Sequence, residues 1–141
     1  YDNFSELDAH MIPAVIQKIH TAKKMNKQIV DIWGDGKARR EFMYIKDLID
    51  FISFAIHNFN NLPEIINVGT GKDYTINEYY SKISKVIGYE GDFSHDMSKP
   101  SGMQRKLVDI TKLKSFGWQS KYSLEKGIEE TYNFYKENYG K

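Results

Sequence analysis

Two polar clusters and one histidine carry the residue types that could do chemistry in this sequence. The first cluster is Trp33-Gly34-Asp35-Gly36-Lys37-Ala38-Arg39-Arg40-Glu41-Phe42. An indole beside a glycine turn and paired arginines can offer a flat ring to a base and guanidinium forks to a pyrophosphate. The same pattern also suits a hairpin whose arginines pair with nearby carboxylates such as Glu41. The second cluster is Lys99-Pro100-Ser101-Gly102-Met103-Gln104-Arg105-Lys106. Alone it reads as a solvated turn; with the first it could converge on one anion. His10 stands just ahead of a helical stretch. An imidazole titrates near neutrality and can take and return a proton, but its position suits an ordinary helix-start histidine as well.

Three further patterns are weaker. Val68-Gly69-Thr70-Gly71 follows an apolar run and precedes a helix, the context of a dinucleotide-binding turn. Tyr74 occupies the place of the third glycine, and no acidic residue closes a second strand further on, so a plain turn that needs glycine conformations fits better. Tyr122…Lys126 and Tyr132…Lys136 have the spacing of a catalytic Tyr/Lys pair. With ten tyrosines in the chain such spacing arises by chance, and both pairs read as surface residues of a terminal helix.

Composition narrows the chemistry. The 141 residues make about one domain, with 40% apolar and 28% charged side chains, as in a globular protein. The net charge of +1 lacks the basic excess of a dedicated nucleic-acid binder. No apolar run reaches membrane-spanning length. There is no cysteine, and the four histidines lack the spacing of a zinc site.

The elements that must hold these residues follow from periodicity. Ile12, Val15, Ile16, Ile19 and Ala22 predict a helix with Pro13 in its first turn. Gln28 to Trp33 predicts a buried strand, and Arg40 to Ile45 a second one paired with it as a hairpin. Asp47 to Phe59 predicts a helix and Ile65 to Val68 a short strand. Thr75 and Glu78 predict a capping box for a third helix through Ile87. Asp92 to His95 predicts a strand, Leu107-Val108 an extended piece and Thr111 to Phe116 a short helix. Ser123 predicts the cap of a last helix buried through Leu124, Ile128, Tyr132 and Tyr135. The fold class is α/β or α+β in one unit.

Several segments occur together in a recognisable order: Asp2-Asn3-Phe4, His10-Met11-Ile12-Pro13-Ala14, Trp33-Gly34 through Arg40-Glu41-Phe42, Asp47-Leu48, Ile66 through Gly71, Ser98-Lys99-Pro100, Arg105-Lys106-Leu107 and Gly117-Trp118. In this order they resemble the C-terminal half of the GDP-L-fucose synthases (GDP-4-keto-6-deoxymannose epimerase/reductases), which are extended short-chain dehydrogenases. The resemblance implies that residues 1–141 form the small α/β substrate-binding domain of a longer enzyme whose Rossmann half is missing. A first residue, Tyr1, that is not methionine fits that expectation.

The resemblance further implies residue roles. His10 matches the acid/base of epimerisation and lies near the nicotinamide, so it also counts as a cofactor contact. Lys18, Trp33, Arg40 and Lys106 match contacts to the GDP-sugar substrate, with Arg40 and Lys106 near its diphosphate. Ser101 stands where the family usually has Asp, and Met103-Gln104 where it usually has Thr-Pro, which leaves the sugar open. A 4-keto group would acidify the neighbouring C3 and C5 protons for an acid/base pair, and NADP, bound mainly by the missing half, would serve the reduction. The full-length enzyme would be a cytoplasmic homodimer without nucleic-acid or membrane partners. This chain alone would be inactive and would bind GDP weakly or not at all. The alternatives are a GDP-4-keto-6-deoxy-heptose epimerase or reductase, and a non-catalytic nucleotide-sugar-binding module.

Overall fold

A computed structural model describes residues 3–4 and 9–140; Asp2 of the opening motif lies outside the described residues. The apolar spacing of the first helix becomes a packed face. On α1 (Met11–Lys24), Val15, Ile16, Ile19 and Ala22 are buried, and Pro13 sits in the first turn. This face meets α3 (Ile76–Ile87) and α5 (Leu124–Asn138). Ile83, Ile87, Ile128 and Tyr135 complete the main core with Val30 and Ile32.

Local signals set the helix ends. The Thr75 hydroxyl accepts the Glu78 N–H while the Glu78 carboxylate accepts the Thr75 N–H, which satisfies two otherwise unpaired donors. Ser123 accepts the Lys126 N–H at the start of α5.

Val30 and Ile32 lie on β1 (Ile29–Trp33), which runs parallel to β4 (Asp92–Asp96), with Ile29 opposite Asp92 and Trp33 opposite Asp96. Residues alternate across a strand, so Ile29, Asp31 and Trp33 share the opposite, more exposed face. A second sheet has β2 (Arg39–Arg40) at its centre. It runs antiparallel to β3 (Tyr74–Thr75) and parallel to β5 (Arg105–Lys106).

The expected hairpin between the first two strands does not form. The edge of β1 is taken by β4, and β2 is only two residues long. The carbonyls of Gly36 and Ala38 accept the N–H groups of Asn77 and Ile76 instead. They thus serve the unpaired first turn of α3 rather than a ladder. Ile65 to Val68 is not paired into a sheet among the described residues. Among the described residues no strand pairs with it, and Ile66 and Val68 pack instead on Ile110, Leu113 and Trp118. Pairing expected near Leu107-Val108 falls at Arg105–Lys106.

α2 (Ile45–His57) forms where its period predicts, followed by a 3-10 turn at Phe59–Asn61. Its one buried side chain is Asp47, whose carboxylate accepts the backbone N–H groups of Lys121 and Tyr122. This ties α2 to the approach to α5, beside α4 (Thr111–Ser115). Tyr132 is buried rather than on the surface, and its hydroxyl meets His20 Nδ1 at 3.0 Å. Among the described residues no helix is long and apolar enough to cross a membrane.

Candidate functional site

The two cationic clusters meet. Arg40 lies directly beside Lys106 across the parallel β2–β5 pair, and Arg39 beside Arg105. The loop between β4 and β5 folds back on the first cluster. Gly34, at φ +67°, comes so close to Ser101 that an added Cβ would stand 3.0 Å from the serine Cβ, so both the backbone and the space require glycine there. The position of a Cβ on Gly102 would be 3.4 Å from Arg40 Nη2. Lys99 Nζ stands 5.5 Å from the centre of the exposed Trp33 ring. The structure therefore brings Trp33, Arg40, Ser101 and Lys106 into one neighbourhood.

The four strand cations divide by face. Arg39 and Arg105 both bind Asp73. Their hydrogen bonds, Arg39's first, hold the Asp73 carboxyl below the usual carboxylate range. Arg40 donates to the Arg39 carbonyl at 2.7 Å and has no carboxylate partner among the described residues. Its backbone carbonyl accepts the Tyr79 hydroxyl at 2.8 Å. Burial pushes that phenol's pKa up, so it stays protonated and donating.

Lys18 reaches the same face of β1 from α1. Its ammonium donates to both the carbonyl and the carboxylate of Asp31 at 2.7 Å, two residues before Trp33. This bond is the first cause that lowers the Asp31 pKa.

His10 is the N-cap residue of α1. It lines a cleft of about 1000 Å³ with Phe42, Tyr44, Thr70, Tyr74 and Tyr122 among its walls. The cleft begins where the cationic sheet ends, since Tyr74 is the cross-strand partner of Arg40. Deeper in the cleft Tyr44 donates to Glu130 at 2.9 Å, and Lys46 binds the same carboxylate. Burial first, then this hydrogen bond, raises the Tyr44 pKa.

The glycine turn before α3 is closed to a phosphate. Glu41 accepts the N–H groups of Thr70 and Gly71 at 2.6 and 2.7 Å, and Val108 N–H at 3.0 Å. A carboxylate thus sits where a phosphate would. Gly71, at φ +69°, supplies the left-handed turn that its sequence context suggested. Glu41 is therefore not an arginine partner; that part falls to Asp73. Sequence reasoning missed Asp73 and Tyr79. Asp73 sits between a glycine turn and a capping box, and only the register of β2 and β5 reveals what it holds. Among the described residues no three His, Cys, Asp or Glu side chains group in a way that could hold a metal ion.

Residues 1–69 match the sequence model of the NAD dependent epimerase/dehydratase family. The chain is 57% identical over 135 residues to a GDP-L-colitose synthase of Yersinia pseudotuberculosis, covering 96% of this chain and 44% of that protein. It is 46% identical over 134 residues to a GDP-L-fucose synthase of Azorhizobium caulinodans, covering 95% and 43% respectively. Among solved structures, a GDP-D-glycero-L-gluco-heptose synthase from Campylobacter jejuni, determined in the presence of NADPH, matches with a TM-score of 0.85 at 29% identity, over 98% of this chain and 49% of that one. The chain thus spans less than half the length of the curated relatives it matches. Over nearly all of its length the chain is therefore similar in sequence and backbone to parts of these longer proteins, and its first 69 residues match the NAD dependent epimerase/dehydratase family.

Proposed function

We propose that residues 1–141 are the nucleotide-sugar-binding domain of an NADP-dependent GDP-sugar epimerase/reductase. The observation that carries this reading is the pairing of Arg40 with Lys106, without a carboxylate on either among the described residues, beside the exposed ring of Trp33. Two adjacent cations suit the oxygens of a diphosphate, and the indole suits a base or ribose. Because these residues are already assembled, the chain alone retains weak affinity for GDP. Ser101 lies against Gly34, and Lys18 is held on Asp31, two residues before Trp33; in this reading both would meet the sugar end. The turn closed by Glu41 does not fit the phosphates of a dinucleotide. NADP in this reading is held mainly by sequence outside the chain, with His10 its one contact here.

His10 on the cleft wall is the proposed acid/base. It would remove and return a proton beside the 4-keto group of the sugar. The unpaired stretch Ile65 to Val68 and the exposed isoleucines of α2 support a domain that packs against further sequence.

The test uses the complete protein with NADPH and GDP-4-keto-6-deoxymannose. Formation of GDP-L-fucose is expected, and His10→Asn should abolish epimerisation while NADPH binding persists. Normal product from that variant would sink the assignment. A second reading, a GDP-L-colitose synthase, is favoured by the higher identity to the protein of that name. It predicts no turnover of GDP-4-keto-6-deoxymannose by a protein that still binds GDP. A non-catalytic module would bind GDP and turn over no GDP-sugar.

A further inference from the structure

We infer that Asp73 is a positioning residue for the diphosphate-binding pair, holding Arg39 and Arg105 on one face of the β3–β2–β5 sheet and thereby setting Arg40 beside Lys106 on the other. The inference rests on the proposed function of that pair.

The argument begins with how little else fixes β5. Two residues pair with β2, the Arg39 N–H donates to the Gln104 carbonyl, and two residues past the strand the Val108 N–H donates to the Glu41 carboxylate at 3.0 Å. So short a ladder specifies its register weakly, and a slip of one residue exchanges the faces of every side chain. Such a slip would put Arg105 beside Arg40 and turn Lys106 away. Asp73 opposes it with a three-point tie. Arg39 Nε and Nη2 donate to Oδ1 at 3.1 and 3.0 Å, and Arg105 Nε donates to Oδ2. Arg39 Nη2 also donates to the Asp73 carbonyl at 2.8 Å.

The carboxylate is 5% exposed beneath the two guanidinium groups, so it has no free edge to offer a ligand. It acts through its partners. Asp73 also separates the cations by role. Guanidiniums held on a carboxylate are satisfied, and those without one remain available to an anion. The tie sorts four neighbouring cations into two that hold the sheet and two that face a diphosphate.

Simple Coulomb reasoning makes the opposite forecast, which gives the test its force. Removing a negative charge near cations should tighten anion binding. Loss of positioning should weaken it. The measurement is a titration of this chain with GDP into the millimolar range, followed through the amide resonances of Arg40, Ser101 and Lys106. Asp73→Asn is expected to weaken binding about tenfold. Arg105→Lys keeps every charge but loses the planar fork, and should weaken binding about threefold. Unchanged or tighter binding by either variant overturns the inference.

Ser123→Ala, which removes the cap of α5 far from the cationic sheet in the chain, controls for general loss of stability. It should bind GDP like the unmodified chain. A loss equal to that of Asp73→Asn at the same thermal midpoint would make the Asp73 effect mere destabilisation, and would overturn the inference too. Failure of the underlying reading looks different. The unmodified chain would then show no response to GDP, or Arg40→Ala would bind as well as it does.

Discussion

The side of the molecule built by α1, α3 and α5 turns its apolar residues inward, whereas α2 turns its isoleucines outward and packs only Phe51 and Phe54 against the second cluster. Ile16, Ile19, Ile83 and Ile128 are almost fully buried. On α2, Ile49 is 58% and Ile56 69% exposed, with Ile45 and Ile52 close to half exposed. Both regions have helical apolar periodicity, and both form helices. The difference teaches that periodicity reports an apolar face, not what covers it. In the first region three helices and a strand close on each other. In the second, the helix is held by Phe51 and Phe54 packed on the Trp118 cluster and by a buried carboxylate that accepts backbone N–H groups from another segment.

The comparison breaks most sharply at Ile83. If the closed region carries the stability of the chain, Ile83→Ala should cost about 2–5 kcal/mol in denaturant unfolding. That is a large share of the roughly 5–15 kcal/mol a domain has. A loss well under 1 kcal/mol would mean that this core is not where the stability resides. The corresponding residue of the open region is Asp47. Truncation by Asp47→Ala strands the N–H groups of Lys121 and Tyr122, at a cost of about 1–3 kcal/mol in thermal unfolding. An unchanged midpoint would show that α2 is held by something other than this carboxylate.

What could be read from the sequence divides along the same line. The helices were legible because Ile16 and Ile19, or Ile83 and Ile87, repeat at helical spacing, and because Thr75, Glu78 and Ser123 are local cap signals. The capping box formed as expected. The pairing of strands was not legible. Arg40 to Ile45 alternates well enough for a hairpin strand, yet the partners of Arg39 and Arg40 lie more than thirty residues away in sequence. Register is a long-range property, and two-residue strands carry no pattern long enough to signal it. The neighbourhood of Trp33, Arg40, Ser101 and Lys106 was named residue by residue. Asp73 escaped, and Glu41 was given the wrong partners, because a carboxylate's role depends on which donors the fold brings to it.

The closed region should also respond to pH. His20 Nδ1 meets the Tyr132 hydroxyl at 3.0 Å, and the ring packs on Tyr135. Burial first, then the charges of Lys24, Lys23 and Lys136, lowers its pKa from the ordinary 6.5. A histidine with a depressed folded pKa binds fewer protons folded than unfolded as pH falls below 6.5. Its contribution is therefore complete above that value and is lost as pH falls toward the folded pKa. The thermal midpoint should drop between pH 7 and pH 5 by an amount that His20→Gln removes. If the variant keeps the full slope, the titrating group is elsewhere.

The smallest effect belongs to the open face and is the most telling about it. Ile52 is about half exposed on α2. If water covers that face, Ile52→Ser removes little buried area and changes stability by no more than about 0.5 kcal/mol. It should also slow self-association, because an exposed stripe of isoleucines is a sticky surface. If a second copy of the chain covers the face in solution, the same substitution costs more, and the cost grows with protein concentration because dimer stability is linked to mass action. Unfolding measured at two concentrations distinguishes these cases. A concentration-independent loss above 2 kcal/mol, in the range of buried isoleucines, would place Ile52 inside the core and erase the contrast between the two regions.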